Sequence, residues 1–262
     1  MMRQALMAKA PEEHDGFRLR GVSVSRLECF CDCVFGFALT LLVVSLEVPK
    51  TFGELMTAMR GFFAFAMTFA TLAMVWNRHY SFCRRYGLED NVVRFLSLLL
   101  LFVVLAYVYP LKFLTTLFIN GVLGVDIASA STMKITVHEV SQLFILYSAG
   151  FAAVTVLWIL FYGHAYRLRH KLQLNDLEIL ETRMEIVEQW SMLAIPLTSI
   201  VLALTLPPDK IGFAGFIYFA LGIVGWINGA AQGKAKRKLL EARASSEAAL
   251  PSSEPNPPTA PS

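Results

Sequence analysis

The sequence predicts an all-α integral membrane protein with six transmembrane helices. Three observations carry that prediction. Apolar residues make up 56% of the 262 and charged residues only 16%, where a soluble domain carries about a quarter charged. The charges are confined to short stretches between long apolar runs, and six of those runs approach the roughly 20 residues that cross a bilayer as a helix. The basic residues also collect on alternate connections, which sets the orientation.

Taken in order, residues 1–22 form a polar N-terminal arm; they lack the uninterrupted apolar core of a signal peptide. A transmembrane domain over 23–233 follows. Its first span, about Leu27–Val48, is unusual in carrying Asp32 near its inner end. The second is expected at about Met56–Tyr80, the third at Val92–Leu114 and the fourth at Val140–Tyr162. The fifth, Trp190–Leu206, is the shortest and contains Pro196, and the sixth covers Ile211–Ala231. Residues 121–136 read as a polar external loop. Within about 167–189, Leu174, Leu177, Leu180, Met184 and Val187 recur at helical spacing and predict a cytoplasmic amphipathic helix. Residues 234–262 are basic, then Pro/Ser-rich, and read as a disordered tail.

Orientation follows from the basic residues. The N-terminal arm holds Arg3, Lys9, Arg18, Arg20 and Arg26, and the connection after the second span Arg78, Arg84, Arg85 and Arg94. The connection after the fourth holds Arg167, Arg169, Lys171 and Arg183, and the C-terminal end Lys234, Lys236, Arg237, Lys238 and Arg243. The other side has only Lys50, Arg60, Lys112, Lys134 and Lys210. Both termini are therefore expected in the cytoplasm.

Catalytic motifs are missing: there is no phosphate loop, no zinc-protease helix motif and no nucleophile elbow. The five histidines are scattered over different segments. Cys29, Cys31 and Cys33 turn about 200° apart along a helix and do not converge on one metal. The chain is not expected to be an enzyme, to hold a cofactor or resident metal, or, at a net charge of +3, to bind nucleic acid. A potassium-channel carbonyl filter of the TVGYG kind is absent too, so any selectivity would come from side chains.

The first span is the informative surface. At 100° per residue, Arg26, Phe30, Cys33, Phe37, Thr40, Leu41 and Val44 form one stripe, and Asp32 lies about 140° from Phe37. Most apolar stripes are core or lipid-facing, and that reading applies here as well. A carboxylate in lipid needs donors from other helices. Trp76, Asn77, Arg78 and His79 on the second span, and Asn91 or Arg94 opening the third, lie at matching depth. A network joining Asp32, Trp76, His79 and Asn91 would clamp three helices and fix the rotation of the first.

These residues resemble the transmembrane protein 175 family of potassium channels. The family signature is Arg-x-x-x-Phe-Ser-Asp, an apolar run and a closing Pro. Here Arg26, Phe30 and Asp32 match, Val34, Phe35, Ala38, Thr40, Leu41, Leu42 and Val43 follow the run, and Pro49 closes it. Trp76, His79, Asn91 and Pro110 are also similar. Cys31 stands in the place of the motif Ser, and Phe37 in that of the family's constricting Leu or Ile.

The resemblance implies a prokaryotic, single-repeat channel in the cell membrane, a homo-oligomer (a tetramer) in the lipid bilayer whose first helices line a central pore. It implies that potassium ions pass in transit only, with Phe37, Thr40, Leu41 and Val44 at a hydrophobic constriction. Asp32, Trp76, His79 and Asn91 would be architectural, Cys31 would replace the motif Ser, and Arg26, paired with an acid such as Glu28, would sit at the inner mouth. Two other classes fit the residues: a proton-coupled transporter carrying protons on Asp32 and His79, and a non-conducting scaffold in which the stripe is packing.

Overall fold

The computed structural model describes residues 17–44, 50–123, 137–207 and 213–248. Its elements are helical: α1 (Arg26–Val44), α2 (Phe52–Arg60), α3 (Phe62–Tyr86), α4 (Asn91–Leu123), α5 (Val137–Arg167) and α6 (Asp176–Thr205). A short turn of helix at Phe213–Phe216 and a 3-10 turn at Ile217–Phe219 lead into α7 (Ala220–Ala248). Three helices are long and apolar enough to cross a membrane, by length and composition: Asn91–Leu117, Glu139–Arg167 and Asp176–Thr205. They overlap the predicted third, fourth and fifth spans.

Several boundaries differ from expectation, each for a physical reason. The second span is broken at Gly61, which separates α2 from α3, and the lower helix runs on to Tyr86. There Gly87, at φ 57°, closes it in the left-handed conformation that glycine adopts without strain. The third span continues through Pro110 to Leu123. Expected as a separate cytoplasmic helix, the amphipathic segment is instead the first half of α6, continuous through Pro196 with the fifth span. Proline ends helices in water but is tolerated in membrane helices, where neighbouring groups satisfy the freed carbonyls. Residues 234–248, expected within a disordered tail, extend α7 as helix; the remaining tail, like most of the external loop, lies outside the described residues.

The N-terminus of α6 is set by Asn175, whose side chain accepts from the Glu178 N–H, while the Glu178 carboxylate accepts from the Asn175 N–H. This reciprocal pair satisfies two donors that a helix start otherwise leaves open.

Helix α1 packs on α3 and α4, α4 also meets α5, and α5 lies along α6 in the most extensive contact of the fold; α7 packs on α6. Between helices in lipid, close packing and hydrogen bonds replace the hydrophobic effect. The Ser141 hydroxyl accordingly donates to the Ala203 carbonyl at 2.6 Å, and Ser148 shares a 2.8 Å bond with the Tyr218 hydroxyl. One aromatic cluster ties the bundle together: the fully buried Phe82 ring meets Phe161 at 4.9 Å, Tyr86 at 5.0 Å and Tyr162 at 5.7 Å.

Candidate functional site

Two faces of α1 have opposite environments. Cys31, Phe35, Ala38 and Leu42, spaced four, three and four apart, are buried against the bundle. The other face is open: Arg26, Cys29, Phe30, Cys33, Gly36, Phe37, Thr40 and Val43 are exposed, and Phe37 reaches 59%. The predicted stripe is thus the open face, with two qualifications. Leu41 sits half-buried at its margin, and the side chain of Val44 lies outside the described residues. Helix α4 offers a comparison: its open face is Phe95, Leu98, Phe102, Leu105 and Tyr109, large and apolar, as a lipid contact requires. The α1 face instead mixes small, sulfhydryl, hydroxyl and aromatic groups.

The Thr40 hydroxyl donates to the Phe37 carbonyl at 2.7 Å, one turn back. Its proton is therefore committed, and its oxygen lone pairs remain free toward the open side. Val43 was not among the predicted constriction residues; its exposure marks it as part of the same face.

The Asp32 anchor is made, but the expected four-residue network divides into two links. The Trp76 indole N–H donates to Asp32 Oδ1 at 2.8 Å, joining α1 to α3. His79 is buried and bonds Ser97 through Nε2 at 3.1 Å, joining α3 to α4; its ring also lies 6.2 Å from that of Phe35. Asn91 turns away and accepts from the Arg94 guanidinium within α4. Asp32 and His79 share no hydrogen bond among the described residues, so they form no direct proton relay. Burial separates them: Trp76 is exposed and reaches the carboxylate, whereas His79, one turn along the same helix, is buried against Ser97. Ser97, which sequence reading missed, has no signal beyond its depth. Cys31 is buried as a small packing group. Arg26 is exposed and makes no ion pair among the described residues, contrary to the expected pairing with an acid such as Glu28; the Glu28 N–H is capped by the Ser25 hydroxyl instead.

The end of the bundle beside the first half of α6 is rich in charge. Arg78 pairs with Glu185 at 2.6 Å beside the Trp158 and Tyr162 rings. On α7, Asn228 donates to Ser191, Gln232 to Glu188, and Lys236 pairs with Glu181, a polar seam four residues apart along one face. In the turn between α3 and α4, Asp90 accepts from the Val93 N–H and from His164 Nε2 at 2.6 Å. Burial pushes the Asp90 carboxyl up, but those two donors outweigh it and hold it below its ordinary range.

The described residues form an all-helical membrane bundle that fixes its first helix from one side and leaves a mixed polar and apolar face of that helix open. The family described as endosomal/lysosomal potassium channel TMEM175 matches residues 26–107, the stretch that holds α1, α2, α3 and the first half of α4. A curated relative from Marivirga tractuosa, named as a potassium channel, is 35% identical over 86% of this chain and 94% of its own length. The chain belongs to the TMEM175 family. A crystal structure of a variant of the potassium channel MtTMEM175, bound to a nanobody fusion protein, is similar with a TM-score of 0.73 at 33% identity, over 86% of this chain and all of that one. A second structure, of a TMEM175 homologue from Chamaesiphon minutus, shares the fold with a TM-score of 0.51 at 19% identity, over 78% of this chain and 96% of that one.

Proposed function

We propose that this chain is a potassium-permeable channel subunit whose first helices, four to a pore, line a central axis in the cell membrane. The observation that supports this most is the open face of α1, which exposes Phe37 and Thr40 while Asp32–Trp76 and the buried Cys31, Phe35, Ala38 and Leu42 hold the helix in one rotation. The reading has six spans, with α1, α3 and α7 crossing alongside the three longest apolar helices. Both termini, the N-terminal arm over 1–22 and the 234–262 segment lie in the cytoplasm beside the charged half of α6.

In this reading Phe37 forms the narrowest ring, with Leu41 and Val44 completing the narrow segment. A ring of apolar side chains expels water, and a cation crosses only by losing hydration. Potassium loses its shell at lower cost than sodium, and the Thr40 lone pairs replace part of it. Asp32, Trp76 and His79 orient the helix rather than contact the ion; Arg26 and Phe30 lie toward the inner mouth.

The test is potassium flux into liposomes holding the purified protein, wild type against Phe37→Ala and Phe37→Asn. A smaller or polar ring raises flux roughly tenfold, equal to ~1.4 kcal/mol off the barrier, and weakens discrimination against sodium. Well-folded protein that passes no potassium in any of the three forms refutes the channel.

A further inference from the structure

Besides the Arg18 and Arg20 guanidinium bonds to the Gln173 and Leu172 carbonyls at 2.7 and 3.0 Å, the segment entering the pore helix is bound at three places. The Phe17 ring is fully buried, edge-on to Tyr86 at 5.6 Å and beneath the guanidinium groups of Arg20 and Arg85. Next, the Arg20 and Gly21 N–H groups both donate to the Arg84 carbonyl at 3.0 Å, and the Arg84 guanidinium donates back to the Gly21 and Val22 carbonyls. This seating needs glycine on both sides: a Cβ on Gly21 would enter the Cys83 carbonyl, and one on Gly87 would lie 2.8 Å from the Arg20 backbone.

The third attachment is Glu178. Its side chain is 0% exposed and accepts from the Arg18 N–H at 2.9 Å and from the Arg20 guanidinium at 2.7 and 3.1 Å. Weaker bonds run from the Arg18 guanidinium at 3.3 and 3.4 Å, and the capping bond comes from the Asn175 N–H. One buried carboxylate thus joins the N-terminal segment to the start of α6. The same region is tied to α3, where the Tyr86 hydroxyl and the Thr182 hydroxyl bond at 2.7 Å; Thr182 donates to the Glu178 carbonyl, so Tyr86 is the donor.

Ordinary cap chemistry needs only the Asn175–Glu178 exchange. Two guanidinium groups 158 and 160 residues away are more than a helix start requires. The strap ends at Gly21, and α1 begins at Arg26, so where Glu178 holds the strap determines where the pore helix starts.

We infer that Glu178 is a positioning residue for the pore: through Arg18 and Arg20 it fixes the base of α1 and thereby the arrangement of the constriction. This rests on the channel reading above. Asp32–Trp76 fixes the rotation of α1 partway along its length, and Glu178 fixes its foot. Movement at the N-terminus of α6 is then passed to α1 through a short, doubly anchored linker. A two-state pore responds to any contact made in only one of its states.

Single-channel recording in planar bilayers tests this with Glu178→Gln, which keeps the shape and the cap acceptor but loses the charge. Replacing charge-assisted bonds with neutral ones shifts the open-to-closed ratio about tenfold, with unitary conductance and reversal potential unchanged. Arg18→Ala, on a side chain 39% exposed, should shift it the same way and less, and serves if Glu178→Gln does not fold. A purely structural Glu178 would lower the number of channels and leave open probability unmoved, which overturns the inference. Phe37→Asn in the same preparation separates the two claims. If it alters conduction while Glu178→Gln and Arg18→Ala leave open probability unchanged, the positioning role fails alone. If it too has no effect, the pore assignment fails with it.

Discussion

Trp76 and Asp32 meet across 2.8 Å, indole N–H to carboxylate, a bond that holds α1 to α3 near the N-terminal end of the open face. Hydrogen bonds between membrane helices contribute about 0.6–2 kcal/mol. Trp76→Phe keeps the ring and removes the donor, so it should cost about 1 kcal/mol and let α1 rotate. Thermal unfolding in detergent and potassium flux are measured together. A variant as stable as wild type with unaltered flux would show that the bond is incidental.

Thr40 is the test of selectivity. Its hydroxyl proton is spent on the Phe37 carbonyl, so only the oxygen can serve an ion. Thr40→Val is nearly isosteric and deletes that oxygen. The potassium-to-sodium permeability ratio should fall about threefold, as the loss of one weak polar contact predicts, while assembly is unchanged. An unaltered reversal potential under bi-ionic conditions would remove Thr40 from the ion's path.

Much of this was legible in the sequence, and the exceptions share a cause. The stripe through Phe30, Cys33, Phe37 and Thr40 could be read because helical period alone decides which residues share a face. Asp32–Trp76 was accessible because a membrane carboxylate must find a donor at its own depth. His79–Ser97 was not, since several neighbours occupy that depth and packing chooses among them. The extension of α4 to Leu123 and the joining of the amphipathic segment to the fifth span in α6 were hidden because hydropathy marks the apolar stretch and not where the helix carrying it begins or ends. The Glu178 strap joins residues whose chain separation leaves no local pattern, although Asn175 and Glu178 carry a visible capping signature.

Asp90 gives the chain an acid-sensitive contact. Its carboxyl is held below the ordinary range by the Val93 N–H and the His164 ring, which outweigh its burial. A depressed carboxylate contributes stability that is present above its unfolded value, near 3.9, and lost as pH falls through the folded one. Lowering the pH from about 5 to 3 should therefore destabilise wild type more than Asp90→Asn. The pair is partly exposed, so the difference should be below about 1 kcal/mol. Parallel melting curves for the two proteins across that range would contradict the assignment.

Gly150 tests how tightly the membrane helices pack. A Cβ there would enter the Tyr107 ring, whose hydroxyl donates to the Leu146 carbonyl at 3.1 Å. Gly150→Ala should destabilise by ~1–3 kcal/mol, the usual cost of overpacking. Gly163 on the same helix meets nothing within 4 Å of an added Cβ, so Gly163→Ala should be neutral or stabilising by up to ~1 kcal/mol. Equal effects at the two positions would mean that α4 and α5 are not in this register.

The native cysteines give a direct reading of which way α1 faces. Cys29 and Cys33 are exposed, and Cys31 and Cys83 are buried, although the first three lie within five residues of one another. A cationic, membrane-impermeant thiol reagent should label Cys29 and Cys33 in folded protein and spare the other two until it is denatured. Cys33 lies on the Phe37 stripe, one turn below it, so in the proposed channel its modification places a positive charge beneath the constriction and should suppress potassium flux. Cys33→Ser should abolish that suppression. If suppression persists in Cys33→Ser and disappears only in Cys29→Ser, the pore axis lies along the Cys29 edge of the open face, and Phe37 is turned toward a neighbouring subunit rather than toward the ion. If labelling of both leaves flux untouched, the open face of α1 meets lipid or protein, and the conduction path has to be sought on another helix.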